Sequence, residues 1–411
     1  MSKDAKNVPA LRFKGYSDAW EKRKLGELVE IQNGYAFESK YFTEAPTKFV
    51  VVTPGSVLIG GGFRFGSGHF YDLNGPVPRD FVFKPGDLFL TLTDLTPSAR
   101  LLGYSAFVPH DDNVYLHNQR LGKIESIGSS LSFIYYLTST PSFHNAIVRG
   151  ASGTTVKHSS KAKVLSYQSE IPFLSEQHQI SSFLKKFDDL IAATQHKIDA
   201  LEQAKKVLLQ RLFDQSWRFK DYSDPWEKRK LGEVADIVGG GTPSTSRPEY
   251  WNGEIDWYAP AEIGTQRYVY KSRRQITELG LEKSSAVMLP ANKTILFTSR
   301  AGIGNAAILT SPATTNQGFQ SMIVNSNTDT YFLYSKIPDI KHKAIRVAAG
   351  STFLEISGKS LSKIPIKLPI FEEQVKIGRL FLKIDNLIAA TQSRLSSLEL
   401  LKKFLLQNLF I

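Results

Sequence analysis

Apolar residues recur every seven positions in two stretches of this chain. Ile180, Phe187, Thr194, Leu201 and Leu208 form one row, and Leu184, Ile191, Ile198, Lys205 and Leu212 form a second, four residues on. Two such rows make the buried seam of a heptad helix. The pattern returns in Ile377, Ile384, Thr391, Leu398 and Leu405 beside Phe381, Ile388, Leu395, Lys402 and Leu409. Even the polar exceptions coincide: Thr194 with Thr391, and Lys205 with Lys402. Polar residues in a seam set register and partner at some cost in stability. Each stretch runs about 39 residues, which at ~1.5 Å per residue gives a helix of ~58 Å. Ser175-Glu176-Gln177, just after Pro172, supplies an N-cap and early acidic charge. The simplest arrangement pairs the two helices with each other. Two separate amphipathic helices, each lying on its own domain, are the alternative, but globular helices seldom run so long.

The recurrence extends beyond the helices. Leu11 to Glu27 (LRFKGYSDAWEKRKLGE) and Trp217 to Glu233 (WRFKDYSDPWEKRKLGE) share 14 of 17 positions at an offset of 206. Inside the helices, FDDLIAATQ at 187–195 and IDNLIAATQ at 384–392 match at an offset of 197. The chain is an internal duplication. The ends of each unit match and the middles diverge, so a common frame holds two different inserts, about Leu28 to Ile171 and Val234 to Leu368. Phe81-Val82-Phe83 and Asp87 to Leu92 are expected strands joined by a Lys84-Pro85-Gly86 turn, matched by Val287 to Pro290 and Thr294 to Thr298. Gly60-Gly61-Gly62 and Gly239-Gly240-Gly241 are expected loops, and Ser132 to Ser139 a short helix. The fold class is α+β.

Composition narrows the chemistry. The 411 residues contain no cysteine, so disulfides and thiolate chemistry are excluded, as suits a reducing cytosol. No apolar run is long enough to span a bilayer, and Met1 to Pro9 has no apolar core, so no membrane or secretory role is expected. The formal charge of +12 favours a polyanionic partner without proving one. Catalytic constellations are missing. Ser223-Asp224-Pro225-Trp226 lacks the second proline of the loop that holds a flipped adenine, and the first copy reads Ser17-Asp18-Ala19-Trp20. Gly239-Gly240-Gly241 and Ala301-Gly302-Ile303-Gly304 lack the strand and helix context of a nucleotide loop, and no Walker lysine is present. Pro338-Asp339 is not followed by a Glu-x-Lys. No histidine pair has metal-protease spacing, and His69, His110 and His117 are expected on the surface or in loops.

Recognition remains. In the second insert Arg247, Arg267, Lys271, Arg273 and Arg274 are interleaved with Tyr250, Trp251, Trp257, Tyr258, Tyr268 and Tyr270. Basic and aromatic side chains in alternation suit phosphate contacts and base or sugar packing; a solvated face over an aromatic core is the plainer reading. Thr242 and Ser244 follow the glycine run. Arg300 and Asn316-Gln317 offer the bidentate groups that read guanine and adenine in the major groove. The first insert has Asn118-Gln119-Arg120 at the matching point, with Asp94 where Arg300 is expected; Lys40, Arg64 and Arg100 are further candidates.

The order insert, heptad helix, insert, heptad helix resembles the specificity subunit of type I restriction–modification systems over essentially the whole chain. The phrases that carry the resemblance are RFKxYSDxWEKRKLGE before each insert, Gly240-Gly241-Thr242-Pro243-Ser244 with Tyr250-Trp251-Asn252-Gly253, Asn316-Gln317-Gly318, Pro369 with Glu373-Gln374, and IAATQ in each helix. The first insert departs from it, with Asn33-Gly34-Tyr35-Ala36-Phe37 in place of the glycine phrase. The resemblance implies target recognition domains at 1–173 and 216–370, with spacer helices at 174–215 and 371–411 forming an antiparallel coiled coil under a pseudo-two-fold repeat. It implies a cytoplasmic, non-catalytic subunit that reads a bipartite site on double-stranded DNA, the helices acting as a ruler of at most ~17 base pairs. The expected partners are two DNA adenine methyltransferase subunits and separate restriction/motor subunits. S-adenosylmethionine, ATP and Mg are expected on those partners, with no cofactor or metal in this chain. Two other readings are a free-standing nucleic-acid-modifying enzyme and a coiled-coil adaptor without DNA readout.

Overall fold

The computed structural model describes residues 8–264, 266–350 and 354–411. Two helices dominate it, Leu174–Phe213 with 40 residues and Phe371–Asn408 with 38. Contacts divide the chain into two compact units, residues 1–195 with 393–411, and residues 196–392. Each unit therefore holds the start of one long helix and the end of the other, packed antiparallel.

In the first unit Ile180 and Leu184 share a core with Leu405, Leu406, Leu409 and Phe410. In the second, Leu212 shares a core with Ile377 and Phe381. Every residue of the two heptad rows in each helix is buried or half-buried. The polar exceptions find partners. Lys402 pairs with Asp188 in the first unit, and Lys205 Nζ lies 2.7 Å from Asp385 in the second. The Tyr136 hydroxyl donates to Asp188 and the Tyr331 hydroxyl to Asp385, each at 2.6 Å. Thr194 and Thr391 satisfy their hydroxyls on the carbonyls one turn back, Leu190 and Leu387.

Each insert is closed at its base by one antiparallel strand pair: Glu21–Lys24 with Gln168–Ile171, and Glu227–Lys230 with Pro365–Leu368. The partner strand leads directly into the long helix. The first unit then builds a four-stranded sheet in the order Val29–Asn33, Leu121–Ser126, Leu88–Thr91, Ser105–Phe107, with a second four-stranded sheet beside it. The second builds a five-stranded sheet in the order Ala235–Gly239, Gln320–Val324, Thr294–Phe297, Ala306–Leu309, Tyr268–Val269, with a three-stranded sheet around Trp251–Tyr258. Short helices, Leu131–Thr138 and Thr330–Ser335, sit between sheet and long helix.

Two expected strands are not strands. Phe81 ends a 3-10 turn and Val82 makes a single bridge to Leu116. In the other copy Leu289 makes a single bridge to Ala313. Phe83 and Leu289 are buried by packing rather than by a ladder, while Val287 and Met288 are exposed, a distinction that a short apolar run does not carry.

The first turn of each long helix holds a buried carboxylate. Glu176 receives Arg12 at 2.8 and 2.9 Å and the Trp20 indole at 3.2 Å. Glu373 receives Arg218 at 3.2 and 2.6 Å. The next residue caps the neighbouring short helix: Gln177 accepts from the Ser130 backbone and Gln374 from the Asp329 backbone. The acidic residue read as a helix-start signal is thus the clamp between the repeated RFK segment and the helix. Removing one member of a buried ion pair leaves the other uncompensated, at about 3 kcal/mol or more. Glu373→Ala should therefore lower the urea stability of the second unit by about that amount, and Arg218→Met combined with Glu373→Leu should recover most of it. A double variant no more stable than Glu373→Ala would show that the cost does not come from a stranded arginine charge.

Candidate nucleic-acid interface

Both inserts contain the same backbone crossing. Tyr35 donates to the His117 carbonyl at 2.8 Å, and Gln119 donates back to Tyr35 at 2.9 Å. In the second unit Gly241 donates to the Thr315 carbonyl at 2.8 Å. Only glycine fits at the crossing: a Cβ on Gly34 would collide with the Asn118 carbonyl, and one on Gly240 with the Asn316 carbonyl. Gly34 of the divergent NGYAF phrase thus takes the place of Gly240, so the departure in sequence hides a shared geometry. Beyond each crossing the asparagine folds the chain on itself. Asn118 Oδ1 accepts from the Arg120 backbone at 3.0 Å, and Asn316 Oδ1 from Gly318 at 2.8 Å. The following side chains, Gln119 and Arg120 in one copy and Gln317 in the other, are left at the surface. Thr242 hydrogen-bonds Gln317 directly.

Arg300 is brought to this point. It is half-buried, its Nε lies beside Gly318, and no hydrogen bond or ion pair to it is present among the described residues. Sheet register corrects the expected match with Asp94. Thr298 bridges Phe319 as Thr91 pairs Leu121, which puts Thr93 opposite Arg300 and Asp94 opposite Ala301. Asp94 is buried and occupied, accepting from Thr96 and from the Leu101 backbone at 2.6 Å. It shapes the loop that carries the exposed Arg100.

The other basic candidates separate into groups. Arg273 is exposed, while its backbone is held by Glu262 at 2.7 Å. Lys271 lies 3.8 Å from the buried Asp256, a carboxylate that already accepts from Ser272 and Gln275. Arg274 stacks on Trp251, 3.7 Å from the ring centroid, with Trp257 at 5.5 Å. Trp257 donates to the Gly241 carbonyl and Trp251 to the Ser244 carbonyl, so the aromatic pair supports the glycine phrase from below. Ser244 and Arg247 are exposed, Arg247 weakly paired with Glu249 at 3.7 Å, and Tyr250 packs on this cluster. Arg267 faces the long helix instead: it bonds the Tyr331 hydroxyl at 3.1 Å and approaches Asp385 at 3.9 Å. In the first unit Lys40 pairs with Glu38 at 2.7 Å, and Arg64 is exposed on a glycine-rich loop. Among the described residues, neither side chain is hydrogen-bonded or ion-paired to the crossing.

His117, expected on the surface or in a loop, lies outside any strand or helix but is not at the surface. It is buried beneath the crossing, its Nε2 bonded to the Leu121 carbonyl and its Nδ1 without a partner. Burial pushes it down to about 4. Its place directly after the buried strand residues Tyr115 and Leu116 was the available signal. Among the described residues no group of His, Asp and Glu is placed to hold a metal.

Comparison with known proteins follows the repeat. The family model for the type I restriction modification DNA specificity domain matches residues 17–203 and 223–400. The chain is 37% identical over 190 residues to the MjaIX type I restriction enzyme specificity subunit of Methanocaldococcus jannaschii, covering 45% of this chain and 44% of that protein. It is 31% identical over 221 residues to the EcoR124I/EcoR124II specificity subunit of Escherichia coli, covering 52% and 53%. The chain spans about half the length of these relatives. Its fold matches the crystal structure of a type I restriction–modification S subunit from M. genitalium with a TM-score of 0.64, at 19% identity over 98% of this chain and 99% of that one.

His117 makes the first unit acid-sensitive. Its depressed pKa means that the unfolded chain binds the proton more tightly. The stability its neutral form contributes is complete above ~6.5 and is lost as pH falls towards 4, on the order of 3 kcal/mol across the window. The second copy has Thr315 at this position. Hydrogen exchange at pH 4.5 should show the first unit opening before the second, and His117→Gln should remove the difference.

Proposed function

Since the chain belongs to the type I restriction modification DNA specificity family, we propose that it is the non-catalytic specificity subunit of such a complex, each unit reading one half of a split site on double-stranded DNA. The observation that carries this reading is the twin crossing. Two units with the same glycine–asparagine backbone present different side chains there, Gln119 and Arg120 in one, Arg300 and Gln317 in the other. Identical scaffolds with unlike polar groups suit two unlike half-sites. Guanidinium and amide groups supply the bidentate base contacts, each worth roughly 1–3 kcal/mol of discrimination. The exposed Arg100, Arg247, Lys271 and Arg273 supply phosphate contacts that hold register without reading sequence. Affinity then falls steeply with salt.

The proposal assigns methylation to two adenine methyltransferase subunits carrying S-adenosylmethionine, and cleavage to motor subunits using ATP and Mg. This chain would act in the cytoplasm; no helix among its described residues is long and apolar enough to cross a membrane.

Exchanging residues Val234 to Leu368 for another insert should change one half of the methylated sequence and leave the other intact, as methylome sequencing of a host carrying the complex would show. A change in both halves would defeat the modular reading. Arg300→Ala should relax one half-site by roughly 1–3 kcal/mol. A uniform loss across all sequences would instead make Arg300 a phosphate contact.

A further inference from the structure

One lysine of the second unit stands where burial should forbid it. Lys336 is only 3% exposed, and its ammonium lies 4.1 Å from the Phe213 ring centroid, 5.3 Å from Trp226 and 5.6 Å from Phe332. The rings offset part of the desolvation cost through cation–π attraction. No hydrogen bond or ion pair reaches Nζ from any described residue. The first unit shows what the frame needs here. Counting from the equivalent helix caps, Ser130 and Asp329, the matching residue is Leu137, also buried. A leucine serves the packing, so the lysine is not demanded by the fold. Burial holds its pKa down, to about 8.

Lys336 lines a half-open pocket of about 420 Å³, and the rim of that pocket is basic. Lys228 and Lys367 stand directly opposite each other on the base strand pair. Like charges in that relation repel and destabilise a sheet. In the first unit the same two positions are Lys22 and Glu170, an attractive pair. Lys343 also lines the pocket, but it is engaged by Asp339 at 2.7 Å and by the Pro365 carbonyl at 3.0 Å. The second copy has thus exchanged a leucine for a buried cation and a glutamate for a rim cation. Both changes remove a favourable local arrangement, and both add positive charge to one concavity.

We propose that this pocket is an oxyanion-binding site of the second unit, with Lys336 at its floor and Lys228 and Lys367 at its rim, taking a phosphate group. All the cations of the site are lysines, and Asp339, the one carboxylate lining it, is engaged by Lys343. Ammonium groups are point charges with rotatable donors, so three of them can meet a tetrahedral phosphate without the fixed fork geometry that arginine imposes. The bound anion supplies the hydrogen bonds that Lys336 lacks and adds to the attraction it already feels from Asp339. The phosphate comes either from a nucleic-acid backbone or from a free phosphate compound. The site stands without the DNA reading proposed above, because its first test contains no DNA.

That test is thermal unfolding of the full chain in inorganic phosphate against chloride at equal ionic strength. Phosphate should raise the melting temperature of the second unit progressively, as a ligand of the native state does. Lys336→Leu and Lys367→Glu, which restore the residues of the first unit, should weaken phosphate binding roughly tenfold or more. Both variants should melt no lower than the parent in chloride, and Lys22→Glu should leave the phosphate response intact. A second arm measures a short duplex against the same variants. Loss of duplex affinity with a shallower salt slope assigns the phosphate to a nucleic-acid backbone. Unchanged duplex affinity beside a lost phosphate response assigns it to a free anion. Equal melting in phosphate and chloride, or a phosphate response that survives Lys336→Leu, overturns the proposal.

Discussion

Two buried carboxylates, Glu176 and Glu373, hold each unit at its root. Each sits in the first turn of a long helix and is closed by an arginine more than 150 residues away in sequence, Arg12 or Arg218. A charge so completely removed from water is tolerable only with its partner and hydrogen bonds in place. The arginine lies in the repeated segment that leads into the base strand, and the glutamine beside the carboxylate caps the short helix under the sheet. One dipeptide, Glu-Gln, thereby joins three elements: entry segment, long helix and insert. This explains why the RFK segment is almost unchanged between copies while the inserts diverge. A substitution in an insert disturbs local packing, whereas a substitution at the clamp strands a charge.

The polar seam positions work by the same rule at lower stakes. A lysine in an apolar seam is unfavourable unless an anion meets it. Asp188 and Asp385 do so, and each also accepts from a tyrosine of the insert. Tyr136 and Tyr331 are not equivalent positions: counted from the helix caps, one is six residues in and the other two. Both reach the same aspartate. The frame fixes the aspartate and the lysine, and each insert finds its own residue to complete the contact. A pairing of insert to helix retained by different routes is what interchangeable inserts on one frame require.

Much of this was legible in the sequence, because heptad spacing and a near-identical repeat are strong periodic signals. The seam rows, with Thr194, Thr391, Lys205 and Lys402, are buried or half-buried as a seam must be. The inserts were legible only in class. Phe81-Val82-Phe83 reads as a strand because burial and β pairing leave the same short apolar run. The Gly34 crossing was hidden because its geometry depends on a missing Cβ rather than on the GGTPS phrase. Asp94 was set one residue out, since no local pattern fixes register in a diverged loop. His117 looked like a surface or loop residue because a histidine is polar, although it follows directly on the buried Tyr115 and Leu116. Arg267 fell within a basic, aromatic run, and only the fold turns it towards Tyr331 and Asp385.

The departures from symmetry are therefore more informative than the symmetry. Where the frame alone sets the requirement, the copies agree: Glu with Glu, Lys with Lys, Thr with Thr. Where they disagree at equivalent positions, each pair has a local physical consequence. Thr315 in place of His117 removes a titrating group from beneath the crossing, and Arg300 in place of Thr93 puts a half-buried guanidinium beside it. Lys336 in place of Leu137 puts a charge into a packed aromatic site. Packing alone favours the leucine, since an apolar side chain of similar size fills the space without desolvating a cation. The aromatic cage and Asp339 answer the lysine's charge only in part, and that remainder of uncompensated charge separates the two units more sharply than any difference in their sheets.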